Sequence, residues 1–164
     1  MMAAAARDLT DLYRQIVLDH NRHPRNQRRP LRCDREAEGH NTLCGDKVRV
    51  YLQLENGTLG DVAGTLGDVA FEASGCAICL ASASMMTEAV RARPLDEART
   101  TIDQFSRALT TNGGETLTGD LAALGGVGAY PSRIRCATLP WETLRAALDS
   151  SPDTVNTEKK SPSR

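Results

Sequence analysis

The sequence predicts an α+β protein that combines a β-hairpin with several helices. Two patterns carry this prediction. Apolar residues alternate at a period of two in DKVRVYLQLENGTL (46–59), which is typical of a half-buried strand, and Asn56-Gly57 then indicates a hairpin turn. On both sides of this segment, apolar residues recur at the spacing of amphipathic helices. A chain of 164 residues suits one domain with a sizeable core.

The first predicted helix lies in RDLTDLYRQIVLDHNRHPRN (7–26). Its apolar face is formed by Leu9, Leu12, Tyr13, Ile16 and Val17. Pro24 ends it, and an Arg-rich loop is expected up to about Gly39. His20 and His23, at the polar end of this helix, are interpreted as surface or capping residues.

A tandem repeat interrupts the hairpin. GTLGDVA occupies residues 57–63 and recurs unchanged at 64–70. An insertion of odd length would turn every later side chain of a strand to the other face, so we expect one copy to pair and the other to bulge out. The second copy runs directly into FEASG and is the predicted strand.

Three more helices are predicted after the hairpin, in residues 76–92, 94–111 and 140–148. The middle one presents an apolar face, and the last begins near Pro140. The expected core residues of these two helices are Leu95, Ile102, Phe105 and Leu109, then Trp141, Leu144 and Leu148. The domain is predicted to span residues 1–149, and the polar residues 150–164 are predicted to be a disordered tail.

Composition excludes several classes of protein. Lys and Arg total 20 against 21 for Asp and Glu, so no global basic field favours nucleic acid. Arginines cluster between Arg22 and Arg35, either as a solvated edge or as a docking patch for an acidic partner. There is no apolar run of about 20 residues and no recognisable leader, which predicts a cytoplasmic protein without a membrane segment. Five cysteines in such a protein indicate metal binding or thiol chemistry rather than disulfides.

Three cysteines have settings that suit a thiolate. Cys44 lies in NTLCGD beside the flexible Gly45, with Asp46 two residues on. Cys76 opens a helix, whose dipole favours a thiolate, and Cys136 lies among arginines shortly before the last helix. Their separations of 32 and 60 residues exclude a local zinc ribbon, so only the fold can bring them together.

The remaining candidates are weaker. Cys79 follows Cys76 by three residues, and the pair could be a metal clip or a redox dithiol. We interpret Cys79 as a packed small hydrophobe, with an oxidisable neighbour and an alternative ligand as open alternatives. Cys33 is interpreted as an incidental thiol. His40 is the only histidine that we keep as an outside candidate ligand.

Four ordered motifs resemble the IscU/NifU-N/SufU-type iron–sulfur cluster assembly family. They are LYRQIVLDHNRHPRN, NTLCGD, SGCAICLASASMMTEAV and YPSRIRCATLPWETL. The resemblance implies a small antiparallel sheet against helices, with a metal site at one end. It also implies functional roles for Cys44, Asp46, Cys76 and Cys136, and none for Cys79.

Within this family the chain is most similar to the SufU branch. Arg135 stands where IscU-type members have a histidine, and the stretch from Thr110 to Tyr130 resembles a SufU insertion. The branch implies a zinc-dependent sulfurtransferase that accepts persulfide sulfur from a SufS-type cysteine desulfurase and supplies a downstream iron–sulfur assembly scaffold. The implied zinc ligands are Cys44, Asp46, Cys76 and Cys136, and Cys44 is the predicted acceptor because its loop can swing.

Two alternatives stay open. The same residues could hold a transient [2Fe-2S] cluster that is passed to apo-proteins. The site could also be a purely structural zinc site in a docking domain. Two features depart from the family pattern: Thr42 replaces a proline of the cysteine loop, and the GTLGDVA repeat is foreign to it.

Overall fold

The computed structural model describes residues 2–55, 64–111, 116–150 and 154–156, with the backbone alone for residues 2–10 and 156. These ranges contain four α-helices: α1 (Met2–Arg22), α2 (Ala77–Val90), α3 (Leu95–Thr110) and α4 (Pro131–Leu148). They also contain five strands: β1 (Arg35–Asn41), β2 (Asp46–Glu55), β3 (Thr65–Ser74), β4 (Arg93–Pro94) and β5 (Val155–Asn156). A 3-10 segment (Gly119–Ala129) precedes α4.

The strands form one sheet in the order β4-β3-β2-β1-β5. The first four pair antiparallel, as predicted, and β5 joins β1 in parallel. The predicted Arg-rich loop up to Gly39 is wrong from Arg35 onward, because these residues form β1. Its inward positions, Ala37 and Gly39, are too small to give the alternating apolar pattern of a strand.

Gly39 has a packing role on β1. A Cβ at this position would lie 2.1 Å from Thr143 Oγ1 and 3.0 Å from Leu139 Cδ1. Only a glycine therefore lets α4 pack this closely against the sheet.

The second GTLGDVA copy forms the beginning of β3, as predicted. Its Leu66 pairs with Leu54 beyond a register shift that follows Gln53. The first copy lies outside the described residues.

The core lies between the inner face of the sheet and the helices. Val48, Val50 and Leu52 of β2 point into it from alternate positions. Across from them, the Trp141 ring stacks on Phe105 with centroids 4.3 Å apart. Every core residue predicted for the last two helices is buried, so their predicted faces are confirmed.

The last helix begins nine residues earlier than predicted. Pro131, not Pro140, occupies its first turn, and Pro140 lies inside the helix. Pro140 has no N–H to donate to the carbonyl of Cys136, four residues before it. Leu139, Pro140 and Trp141 are buried in the core. Their burial stabilises a helix that Pro140, taken alone, would be expected to interrupt.

The predicted disordered tail differs from the structure at two residues. Val155 and Asn156 pair with Gly39 and His40 as β5. Of the predicted tail, the structure describes only residues 150 and 154–156. Within the described ranges, no helix combines the length and the apolar character that a bilayer crossing requires.

Candidate metal centre

Three of the four predicted site residues meet at one end of the sheet. Cys44 lies in the turn between β1 and β2, Asp46 is the first residue of β2, and Cys136 lies in α4. One sulfur or carboxylate oxygen from each lies within 4.8 Å of the others. This Cys-Asp-Cys group could hold a metal ion, and it joins residues up to 92 positions apart in the sequence.

Cys76 lies beside this group at the start of α2. It is the N-cap residue, as its position before the predicted helix suggested. Its backbone N–H donates to Asp46 Oδ1 at 2.8 Å, and its Sγ lies 3.9 Å from Asp46 Oδ2. Asp46 is thus fastened to α2 through one carboxylate oxygen, and the other oxygen faces the sulfurs.

Gly75 makes this contact possible, a role that sequence reasoning missed. Its φ is +145°, and a Cβ built on it would lie 2.3 Å from Asp46 Oδ1 and 2.8 Å from Asp46 Cα. Any side chain would displace the carboxylate. The only signal in the sequence is a glycine directly before a helix-capping cysteine.

The acidic groups of the centre oppose one another's ionisation. Burial raises the pKa of the Cys136 thiol above its ordinary value, and hydrogen bonds with Asp46, Cys44 and Cys76 raise it further. A bound cation would offset this crowding of negative charge. Sulfur with one carboxylate oxygen is a donor set that suits zinc, so the residues fit the metal implied by the sequence.

Arg133 is a cation beside the cluster. Its proximity to the acidic Cys76 and Cys136 side chains raises the pKa of this exposed guanidinium. The sequence pointed to Arg133 and Arg135 together. Of the two, the structure places Arg133 at the sulfurs.

Cys79 is fully buried in the hydrophobic core, which confirms its interpretation as a packed small residue. Burial raises the pKa of its thiol, so it stays protonated. Its backbone N–H, by contrast, donates to Cys76 Sγ at 3.4 Å. Cys33 is exposed in the loop after α1.

Not all of the histidines lie where the sequence predicted. The surface role expected for His20 is wrong: its side chain is 2% exposed, with Nδ1 2.7 Å from Ser84 Oγ and Nε2 2.7 Å from Asp120 Oδ2. It fastens the 3-10 segment to the bundle of α1 and α2. His23 is exposed, as expected. His40, the outside candidate ligand, lies 3.1 Å from Glu38 and is not among the clustered donor groups of the described residues.

Comparison with known proteins gives consistent matches. The sequence profile of the NifU-like N-terminal domain matches residues 12–150. The zinc-dependent sulfurtransferase SufU of Bacillus subtilis strain 168 is 37% identical over 143 residues, which cover 86% of this chain and 92% of that protein. The iron–sulfur cluster assembly scaffold protein IscU of Streptococcus pyogenes is 32% identical over 145 residues, with 87% and 86% covered.

Solved structures share the fold. A SUF-system iron–sulfur cluster assembly scaffold protein from Fervidobacterium islandicum AW-1 superimposes with a TM-score of 0.70 at 29% identity, covering 81% of this chain and 93% of that one. The N-terminal part of a nitrogen-fixing NifU-like protein from Brucella abortus gives 0.72 at 26% identity, with 93% and 99% covered.

Proposed function

Because the chain belongs to the NifU-like N-terminal domain family, which includes IscU and SufU proteins, we propose that it is a zinc-dependent sulfurtransferase of iron–sulfur cluster assembly. Its donor is the persulfide of a SufS-type cysteine desulfurase, and its product passes to a downstream assembly scaffold. The observation that carries the proposal is the convergence of Cys44, Asp46 and Cys136, with Cys76 against Asp46.

The proposed zinc ligands are these four residues. Bound zinc would keep the three thiols deprotonated near neutral pH. Asp46 would contribute Oδ2, because its Oδ1 already accepts the Cys76 N–H. Two ligands belong to helices, Cys76 as the N-cap of α2 and Cys136 in the second turn of α4, which restricts their movement.

Cys44 is the proposed sulfur acceptor. It is half-buried in a turn, between Leu43, which is 74% exposed, and Gly45, whose φ of +70° only a glycine adopts easily. Its thiolate attacks the outer sulfur of the donor persulfide. The donor S–S bond breaks, a new S–S bond forms on Cys44, and the donor cysteine leaves as a thiolate, so there is no net oxidation.

Apolar surface beside the centre supports a protein partner. Tyr130, at the start of α4, is 63% exposed, and Leu43 is more exposed still. A shallow pocket there is lined by Ile78, Val127, Tyr130 and Arg133, among others. Exposed apolar groups next to a reactive site are typical of a docking surface, here for the desulfurase.

A scaffold for a transient [2Fe-2S] cluster is the second candidate function. The similarity to the IscU protein of Streptococcus pyogenes favours it. Metal content separates the two candidates, since the purified zinc protein is colourless whereas a cluster gives stoichiometric iron and sulfide with a brown colour.

The decisive experiment measures desulfurase turnover with this protein zinc-loaded, zinc-stripped and as Cys44→Ser. We expect stimulation by the zinc-loaded protein alone, with labelled sulfane sulfur on Cys44. Stimulation that survives Cys44→Ser, or label mainly on Cys76 or Cys136, would contradict the proposed acceptor.

A further inference from the structure

Asn41 lies behind the metal centre, and neither the sequence motifs nor the proposed ligand set gives it a role. It ends β1 and pairs with Asp46 at the start of β2. Its side chain is only 1% exposed. A buried amide is costly unless its polar atoms are used, so its contacts indicate why it is there.

Two contacts connect Asn41 to two different cysteines. Its side-chain Nδ2 lies 3.9 Å from Cys136 Sγ, within reach of an N–H···S hydrogen bond. Its backbone carbonyl accepts the N–H of Cys44 at 3.3 Å, which closes the turn that carries this cysteine. Asn41 therefore joins the cysteine proposed to move to one that is proposed to stay.

The other end of the amide has no such contact. Asn41 Oδ1 is buried and has no hydrogen-bond partner in the described part of the chain. The side chain therefore leaves its acceptor unsatisfied while its donor faces the sulfur. The amide N–H, and not the amide oxygen, is therefore the group of Asn41 that contacts Cys136 Sγ.

N–H donors face the sulfurs of the two cysteines that are proposed to stay on the metal. Cys76 Sγ accepts the Cys79 N–H, and Cys136 Sγ faces the Asn41 amide and the guanidinium of Arg133. Hydrogen bonds to a thiolate sulfur withdraw its charge, which lowers its nucleophilicity and orients it toward a metal.

We propose that Asn41 is a positioning residue that keeps Cys136 a resident ligand and thereby directs incoming sulfur to Cys44. The inference rests on the proposed function, since it concerns which of the site cysteines accepts sulfur. Asn41 acts through Cys136 and touches no reacting atom. Without the Asn41 amide, Cys136 becomes more nucleophilic and less firmly oriented. It then competes with Cys44 for the incoming sulfur.

The test compares Asn41→Leu, which keeps the branched shape and removes the donor, with Asn41→Ala as a smaller second variant. Thr143→Val is the matched control. It also replaces a buried polar group by an apolar one of similar size, seven residues beyond Cys136 on α4, where Thr143 Oγ1 donates to the Leu139 carbonyl. Each zinc-loaded protein is treated with glutathione persulfide, and the modified cysteine is identified by peptide mass spectrometry. Zinc release to a chromogenic chelator is followed separately.

We expect the ratio of persulfide on Cys136 to that on Cys44 to rise about tenfold in both Asn41 variants, and zinc release to be about ten times faster, the scale of effect seen for partners of metal ligands. Thr143→Val should match the wild type in both. Unchanged ratios and release rates in the Asn41 variants would overturn the inference, as would equal changes in Thr143→Val or failure of both Asn41 variants to fold. A wild type that accepts no sulfur would refute the proposed function, and the zinc-release comparison would still decide the role of Asn41.

Discussion

Asp46 performs two tasks with its two carboxylate oxygens: one holds the start of α2, and the other faces the sulfurs. The arrangement depends on Gly75, where no Cβ fits. At the scale of single residues, the candidate metal centre thus depends on the absence of a side chain at Gly75 as well as on the proposed ligands.

Gly75→Ala should weaken the metal centre without removing a ligand. The new Cβ would strike Asp46 Oδ1, and the φ of +145° is strained for any residue except glycine. We expect a loss of about 1–3 kcal/mol in the free energy of unfolding, with reduced zinc content measured by elemental analysis. Gly126→Ala is the control, because a Cβ there meets no atom within 4 Å. Full zinc occupancy in Gly75→Ala would contradict this account of Asp46.

Cys76→Ser and Cys79→Ser should behave very differently. Replacement of Cys76 removes a thiolate beside Asp46, so zinc should be lost and desulfurase activation should vanish. Replacement of Cys79 adds a hydroxyl to a core position and should cost at most about 1–2 kcal/mol of stability. Zinc stoichiometry and turnover are measured in both variants. Equal losses would mean that Cys79 is a ligand or a resolving thiol.

Tyr51 should make stability fall at alkaline pH. Burial, followed by the hydrogen bond to Glu72, raises its pKa from 10.0 to about 12. The unfolded chain releases this proton near pH 10 whereas the folded chain retains it to about pH 12, so rising pH favours unfolding within that window. The difference in pKa contributes about 2–3 kcal/mol to the free energy of unfolding below pH 10. Between pH 9 and pH 11.5, the free energy of unfolding measured with urea should fall less in Tyr51→Phe than in the wild type. Equal losses in the two proteins would contradict the shifted pKa.

At the scale of elements, the hairpin of β2 and β3 accommodates a duplicated segment without losing its inward-facing residues. Among the described residues, the last cross-strand pair is Glu55 with Thr65, and the first copy falls between these two positions in the sequence. The register shift after Gln53 adjusts the pairing just before this point. The strand core from Val48 to Leu52 is therefore independent of the repeat.

Deletion of residues 57–63 should leave a two-residue connection. Asn56 would be followed by Gly64, and Asn-Gly is the preferred sequence of a tight hairpin turn. Because closure entropy changes slowly with loop length, we expect the free energy of unfolding to change by no more than about 1 kcal/mol. Zinc content should also be unchanged. If the shortened protein binds zinc and folds but no longer activates the desulfurase, the first copy belongs to the docking surface.

At the scale of the whole molecule, the metal centre connects parts of the chain that are distant in sequence. The turn after β1, the start of β2, the start of α2 and the second turn of α4 all contribute to it. A ligand that binds only the folded arrangement stabilises it by mass action.

Zinc should therefore raise the melting temperature, with about one ion bound per chain. At a free concentration 100 times the Kd, the gain is about 2.7 kcal/mol, or roughly 5–10 °C for a chain of this size. Thermal unfolding with and without a chelator measures it, and Cys76→Ser should show little shift. A purely structural site would show the same thermal effect but no sulfur transfer. Stoichiometric iron and sulfide in place of zinc would favour the scaffold function.

The sequence by itself determined the features that depend on neighbouring residues. Helix periodicity, the antiparallel pairing of β2 with β3, the capping position of Cys76 and the buried faces of α3 and α4 all follow from local spacing, and the structure has them. The predicted turn at Asn56-Gly57 lies outside the described residues. The motifs around Cys44, Cys76 and Cys136 also identified the candidate site, although not its geometry.

Only the tertiary structure decided the features that depend on distant partners. β1 has almost no strand signal of its own and exists because β2 pairs with it and α4 packs on Gly39. α4 continues through Pro140 because its surroundings bury that turn, and His20 is buried because Asp120, 100 residues away, accepts its hydrogen bond. Asn41 likewise has no distinguishing feature in the sequence, and its proposed role depends on Cys136, which the fold places beside it. Such contacts form when elements that are distant in sequence pack together. A short stretch of the sequence therefore cannot predict them.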